Sequence, residues 1–210
     1  MIEAVIKGVG LGLILAVSVG PVIFTIIKQS INNGHLGGFS FVTGVWISDI
    51  VWVVLSNLFS ALVLELLAFK VAIGYFGAAF VFSMGIFYVF FKKVKVDANN
   101  TAVIDFGRKD FTKAFVSGFI INTLNPSVIF FWLINTTAFA SNHSVAERIV
   151  LFGVCLGINM IADVAKVLMA ARIRHKLNPH NINIINKISG GILIAFAISI
   201  VYGILFLNKS

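Results

Sequence analysis

The chain reads as an all-α membrane protein of six transmembrane helices arranged as two inverted three-helix repeats, and three observations point there. Hydrophobic residues fill 59% of the 210 positions and charged ones only 11%, with a mean hydropathy of +1.02, whereas a soluble domain carries about 25% charged residues. The apolar residues fall into six runs near or above the ~20 residues that cross the hydrocarbon core of a bilayer. Two acidic residues, Asp49 and Asp163, lie inside those runs, 114 positions apart, in a chain whose second half echoes its first.

The runs can be taken in order. Residues 8–27 form an apolar stretch too long for the core of a signal peptide and without a small-residue cleavage site, so a retained first helix is expected. The second and fourth runs, 36–64 and 114–140, exceed what one span needs and should tilt, break or extend into the interface. The third, fifth and sixth cover residues 71–91, 149–171 and 188–207. Between the halves lies the one sizeable polar stretch, Lys92 to Lys113, too short for a domain. The expected organisation is a single transmembrane domain over 1–210, with repeats 1–91 and 114–207 and a cytoplasmic linker 92–113.

Charge sets orientation and excludes several functions. With six spans, one side holds Lys28, Lys92, Lys93, Lys95, Arg108, Lys109, Lys113, Arg172, Arg174, Lys176 and Lys187, and the other holds Lys7, Lys70, Arg148 and Lys209. Eleven against four puts the linker in the cytoplasm and both termini outside. Because these residues sit between apolar runs, the net charge of +8 marks topology, and no nucleic-acid partner is expected. The lone Cys155 excludes an internal disulfide and a Cys-x-x-Cys redox pair. His35, His143, His175 and His180 fall between the runs without ligand spacing, so they read as solvated and no metal is expected. With no Gly-x-x-x-x-Gly-Lys-Ser/Thr loop the chain does not hydrolyse ATP, and no cofactor is implied.

The repeat rests on an offset of 114, which places Asp49 on Asp163, Gly77 on Gly191, Phe82 on Phe196 and Tyr88 on Tyr202. A unit of three spans is odd, so its second copy enters the membrane from the opposite face. Such inverted repeats are the common build of secondary transporters, with substrate handled between the repeats.

Chemistry should reside in the polar residues at membrane depth. An ionised carboxylate there costs at least ~2.5 kcal/mol, which makes Asp49 and Asp163 candidates for function. At 100° per residue Gly38, Asp49, Ser56 and Ser60 share a face of the second helix, and Asn159, Asp163, Lys166 and Ala170 share one of the fifth. Asp163 and Lys166, three residues apart, can form an ion pair, whereas Asp49 has no cation within a turn and must find its partner elsewhere. Pro21, in Ser18-Val19-Gly20-Pro21, and Pro126, in Asn122-Thr123-Leu124-Asn125-Pro126, should break the first and fourth helices and free the carbonyls of Val17 and Asn122. Open carbonyls at that depth are tolerated only against protein or a water-filled cavity, so Ser18, Gly20, Pro21, Asn122, Asn125, Pro126 and Asn159 are expected to bind substrate. Gly8-x-x-x-Gly12, Gly34-x-x-x-Gly38 and Gly153-x-x-x-Gly157 would allow close helix packing, within the chain or in a homodimer.

At these residues the chain resembles the LysE/RhtB group of amino-acid exporters over nearly its full length. The resemblance is carried by Ser18-x-Gly20-Pro21, the Gly44 to Asp49 stretch, Gly77, Gly118-x-x-x-Asn122-x-x-Asn125-Pro126-Ser127 with Phe130 and Phe131, Asp163, and Ser189-Gly190-Gly191. It implies export of amino acids or close derivatives driven by the proton-motive force, with Asp49 and Asp163 as the residues that couple protons or hold the substrate ammonium. Two positions depart from the group: its Ser-Pro-Gly-Pro-Asn reads Ser18-Val19-Gly20-Pro21-Val22, and its Asn-Pro-Lys reads Asn125-Pro126-Ser127. The expectation is therefore a multi-pass inner-membrane secondary exporter whose partners are a small solute, protons and the lipid bilayer. A cation exporter is the alternative within transport. An intramembrane aspartic protease is disfavoured because the acids sit in Ser48-Asp49 and Ala162-Asp163, not in Tyr-Asp and Gly-x-Gly-Asp. A non-transporting assembly protein is the remaining class.

Overall fold

The computed structural model describes residues 1–18, 20–58, 69–91, 107–140, 142–174 and 179–207. Val19, Ser60, residues 92–106 of the linker, His175, Lys176 and Lys209 lie outside them. The described residues form seven α-helices: α1 (Ile2–Val17), α2 (Pro21–Leu58), α3 (Lys70–Ile86), α4 (Arg108–Thr123), α5 (Pro126–Ala140), α6 (Val145–Arg174) and α7 (Pro179–Tyr202). A π-helical turn prolongs α3 over Phe87–Phe91 and another prolongs α7 over Gly203–Leu207.

Both intramembrane prolines start helices. Proline at the first helical position gives up an N–H that has no intrahelical acceptor there, and its fixed φ suits the turn that follows. Hence α1 stops at Val17, and α2 begins at Pro21, whose carbonyl accepts the Thr25 hydroxyl at 2.8 Å. The expected first helix over 8–27 is broken ahead of Pro21, as its proline predicts, into the end of α1 and the first turns of α2. Likewise the run 114–140 is α4 and α5, bent by 59° at a break capped by Asn125, whose Oδ1 accepts the Ser127 N–H at 3.1 Å. The Asn122 carbonyl, expected to be open, accepts the Asn125 N–H at 3.2 Å.

α2 has no long loop at 28–35 but turns at Gly34, where its two helical pieces, 21–33 and 35–58, meet, so that Ile26 packs in one cluster with Phe41, Val42 and Val45. Its 38 residues would span about 57 Å if straight, well beyond a bilayer core. At Gly34 the backbone departs from helix with φ 67° and ψ −171°, a left-handed φ that glycine adopts without a Cβ clash. Lys28 is therefore inside the protein, 3% exposed, with its Nζ 2.6 Å from the centroid of the Tyr88 ring. It leaves the juxtamembrane count, which becomes ten against four. The linker is shorter than expected too: α4 starts at Arg108, where the Asp110 carboxylate accepts the Gly107 N–H at 3.2 Å and satisfies one donor of the helix start.

Four helical segments are long and apolar enough to cross a membrane, Pro21–Leu58, Lys70–Phe91, Val145–Ile173 and His180–Phe206, and the bent pair α4 and α5 makes a fifth if counted as one span. At 16 residues α1 falls short of that length. Its buried glycines lie against α6, where a Cβ on Gly8 would meet the Leu151 carbonyl and one on Gly12 the Cys155 carbonyl. The outer surface carries Leu13, Phe76, Phe90, Ile161, Leu168 and Phe206, as a lipid-facing surface does.

Close helix crossings are built on reciprocal glycines. A Cβ on Gly44 of α2 would overlap the Phe115 carbonyl of α4, and one on Gly118 of α4 would overlap the Phe41 carbonyl of α2. Gly85 of α3 and Gly190 of α7 face each other in the same way. Around these contacts Phe41, Val42, Val45, Ile26, Ile121 and Val167 form one core cluster, and Trp132, Leu151, Phe152 and Cys155 join another that includes Ala4 of α1. By contrast Gly153 and Gly157 have open space where a Cβ would stand.

Polar contacts sort the chain ends into two groups. At one end the α1 N-terminus lies 3.6 Å from Glu147, Lys7 is 3.3 Å from His143, and Arg148 donates to Asn57 at 3.0 Å. His143, expected to be solvated, is half-buried between Lys7 and an edge-on Phe139 ring at 5.2 Å. At the other end Asn32 donates to Asn186 at 2.9 Å, and Ser40 donates to the Phe111 carbonyl at 2.7 Å.

Candidate functional site

Where α1 stops, α2 and α5 start, and α4 ends, the breaks leave a cavity of about 90 Å³, room for several waters. Its lining draws on five of the seven helices, α1, α2, α4, α5 and α6, together with Ser18, Gly20 and Asn125 between them. Ser18, Gly20, Asp49, Asn122, Asn125, Asn159, Asp163 and Lys166 all line it. Pro21 and Pro126 are buried beside it and shape it by starting helices; a Cβ on Gly77 of α3 would fall on the Pro126 ring. Gly38 and Ser56 are buried on the Asp49 face of α2, so that face turns into the protein.

The two carboxylates, each 2% exposed, are held differently. Asp49 Oδ1 accepts the Asn122 amide at 2.8 Å and the Trp132 indole N–H at 2.9 Å. Among the described residues no hydrogen bond is made to its Oδ2. The Asn122 amide is itself fixed by a second bond to the Val45 carbonyl at 3.3 Å. Asp163 has a cation: Lys166 Nζ lies 2.9 Å from Oδ1, and the Trp46 indole donates to Oδ2 at 3.1 Å. Lys166 turns back to its i−3 carboxylate while still facing the cavity, and does not reach toward the Arg172 end. Each acid is thus clamped from the opposite half of the chain, Asp49 by Asn122 and Trp132, Asp163 by Trp46. Nearby, the Ser48 and Thr123 hydroxyls share a hydrogen bond of 2.8 Å that ties α2 to the end of α4.

Trp46 and Trp132 were not among the residues expected at the site. A usable signal existed, since a buried carboxylate needs donors and indole N–H groups are scarce inside apolar runs; the chain has three tryptophans. Which of them turn inward is not visible without the fold: the third, Trp52, has a buried N–H without a partner. Among the described residues no group of three or more His, Cys, Asp or Glu side chains is placed to hold a metal ion.

What the fold and cavity define is a multi-pass helical membrane protein with a charged chamber between broken helices, the arrangement of a solute translocator. The family model for the LysE type translocator matches residues 13–203, and the chain belongs to that family. Neither a curated protein nor a solved structure matches it.

Proposed function

We propose that this translocator is a secondary active exporter of amino acids or closely related small metabolites, driven by the proton-motive force and resident in the inner membrane. The observation that carries the reading is the chamber itself: one carboxylate, Asp49, without a cation among the described residues, beside a second that is paired, Asp163 with Lys166, among the amides of Asn122, Asn125 and Asn159. A solute bearing one positive and one negative group finds a counter-charge for each there. Asp49 can exchange its negative charge for a proton or an ammonium, the two states a coupled cycle alternates between. An ion that is only a cation would leave Lys166 without a role, which favours the organic solute.

The same reading takes the two halves as an inverted repeat in the membrane. Each half opens with a 16-residue helix, α1 or α4, followed by a break and a proline-started helix. Across the halves α1 packs on α6, α2 on α4 and on α6, and α3 on α7, the crosswise pairing expected of two interlocked copies. We place both termini outside and residues 92–106 in the cytoplasm.

The test is efflux from proteoliposomes loaded with labelled amino acids, with and without an imposed pH gradient. Efflux accelerated by protons moving the opposite way supports the reading. Efflux indifferent to the gradient would remove the coupling, and cation movement without amino-acid movement would replace the substrate.

A further inference from the structure

Beside its polar groups the chamber is lined by apolar side chains from three helices, Ile14 and Leu15 of α1, Val22, Ile23 and Val45 of α2, and Val128 and Phe131 of α5. Its acids among the described residues are Asp49 and Asp163, and Lys166 already neutralises the second. Once a zwitterion has placed its ammonium on Asp49 and its carboxylate on Lys166, with Lys166 bridging that carboxylate and Asp163, a charged side chain would find no unpaired counter-charge among the described lining residues and would be set against the apolar ones. An unpaired charge or polar group desolvated against apolar side chains is strongly disfavoured, whereas each methylene buried there is favourable. We propose that the chamber selects zwitterions with an uncharged aliphatic side chain, Asp49 holding the ammonium, Lys166 the carboxylate, and Ile14, Leu15, Ile23 and Phe131 the side chain. The proposal rests on the export reading and adds a side-chain class to it.

Counterflow tests it: proteoliposomes preloaded with unlabelled leucine take up labelled leucine while lysine, glutamate or glycine is offered outside. Leucine and valine should compete fully. Lysine and glutamate should compete at least about tenfold less well, and glycine roughly tenfold less well for want of the side chain. In Phe131→Ala the leucine-to-glycine ratio should narrow, because part of the apolar wall is gone. Competition by lysine or glutamate equal to leucine, or a leucine-to-glycine ratio near one in the unaltered protein, overturns the selectivity and leaves amino-acid export standing. If no amino acid exchanges at all, the export reading falls and the selectivity with it.

Discussion

Asp49 keeps its Asn122 and Trp132 bonds on Oδ1 and borders the chamber, so its chemistry can be removed with little change of shape. Asp49→Asn should leave insertion, folding and abundance intact while abolishing gradient-driven efflux, because an amide keeps the size but cannot cycle charge. Abundance by immunoblot and efflux from the same preparation check both halves, and normal coupled efflux would contradict the role. Asp163 is different because removing its charge strands Lys166. An unpartnered buried cation costs roughly 3 to 5 kcal/mol, so Asp163→Asn should lower the amount of folded protein, and adding Lys166→Met should restore it without restoring transport. Normal transport by the double variant would make Asp163 a structural residue. The carboxylates were legible in the sequence because charge is rare in an apolar run. Their indole donors were not, since Trp46 and Asp163 are 117 positions apart and only folding brings them to 3.1 Å.

Prolines and glycines decide how the helices begin and how closely they pass. Both breaks were legible because Pro21 and Pro126 interrupt apolar runs, but their nature was not, as proline can kink a helix or open one. What separates the cases is the chain just before it: Asn125 caps α5, and neither Ser18 nor Gly20 is helical ahead of Pro21. The deviation at Gly34 and the burial of Lys28 were hidden for a related reason. A lysine near the end of an apolar run reads as a solvated boundary unless its aromatic neighbour, here Tyr88, is known. Glycine at crossings can be tested by contrast. Gly118→Ala drives a methyl into the Phe41 carbonyl and should destabilise by about 1 to 3 kcal/mol, the usual penalty of overpacking. Gly153→Ala meets nothing within 4 Å and should be neutral or stabilising by up to about 1 kcal/mol. Thermal unfolding of both variants in detergent compares them directly, and equal midpoints would contradict the crossing geometry.

Taken together, the helices place residues 28–40, the start of α4 and the start of α7 at one end, and the α1 N-terminus with the α5 to α6 turn at the other. With the first end in the cytoplasm, single cysteines placed in 92–106 should resist an impermeant thiol reagent on intact cells and react after permeabilisation. Labelling of intact cells would invert the topology. The membrane class was legible from hydropathy, but the residues aligned by the offset of 114 are not equivalent in place. Gly77 is pressed against Pro126 while Gly191 faces open space, and Tyr88 is buried while Tyr202 is exposed.

The one thiol of the chain, Cys155, sits fully buried on α6 beside Gly12 of α1. A cysteine enclosed in apolar surroundings is inert until its cover moves. The unaltered protein therefore comes with a dark background for the labelling just described and a built-in clock. A small membrane-permeant maleimide added over time would count how often α1 lifts from α6, and changing the gradient or supplying solute would tell whether that lifting belongs to the transport cycle.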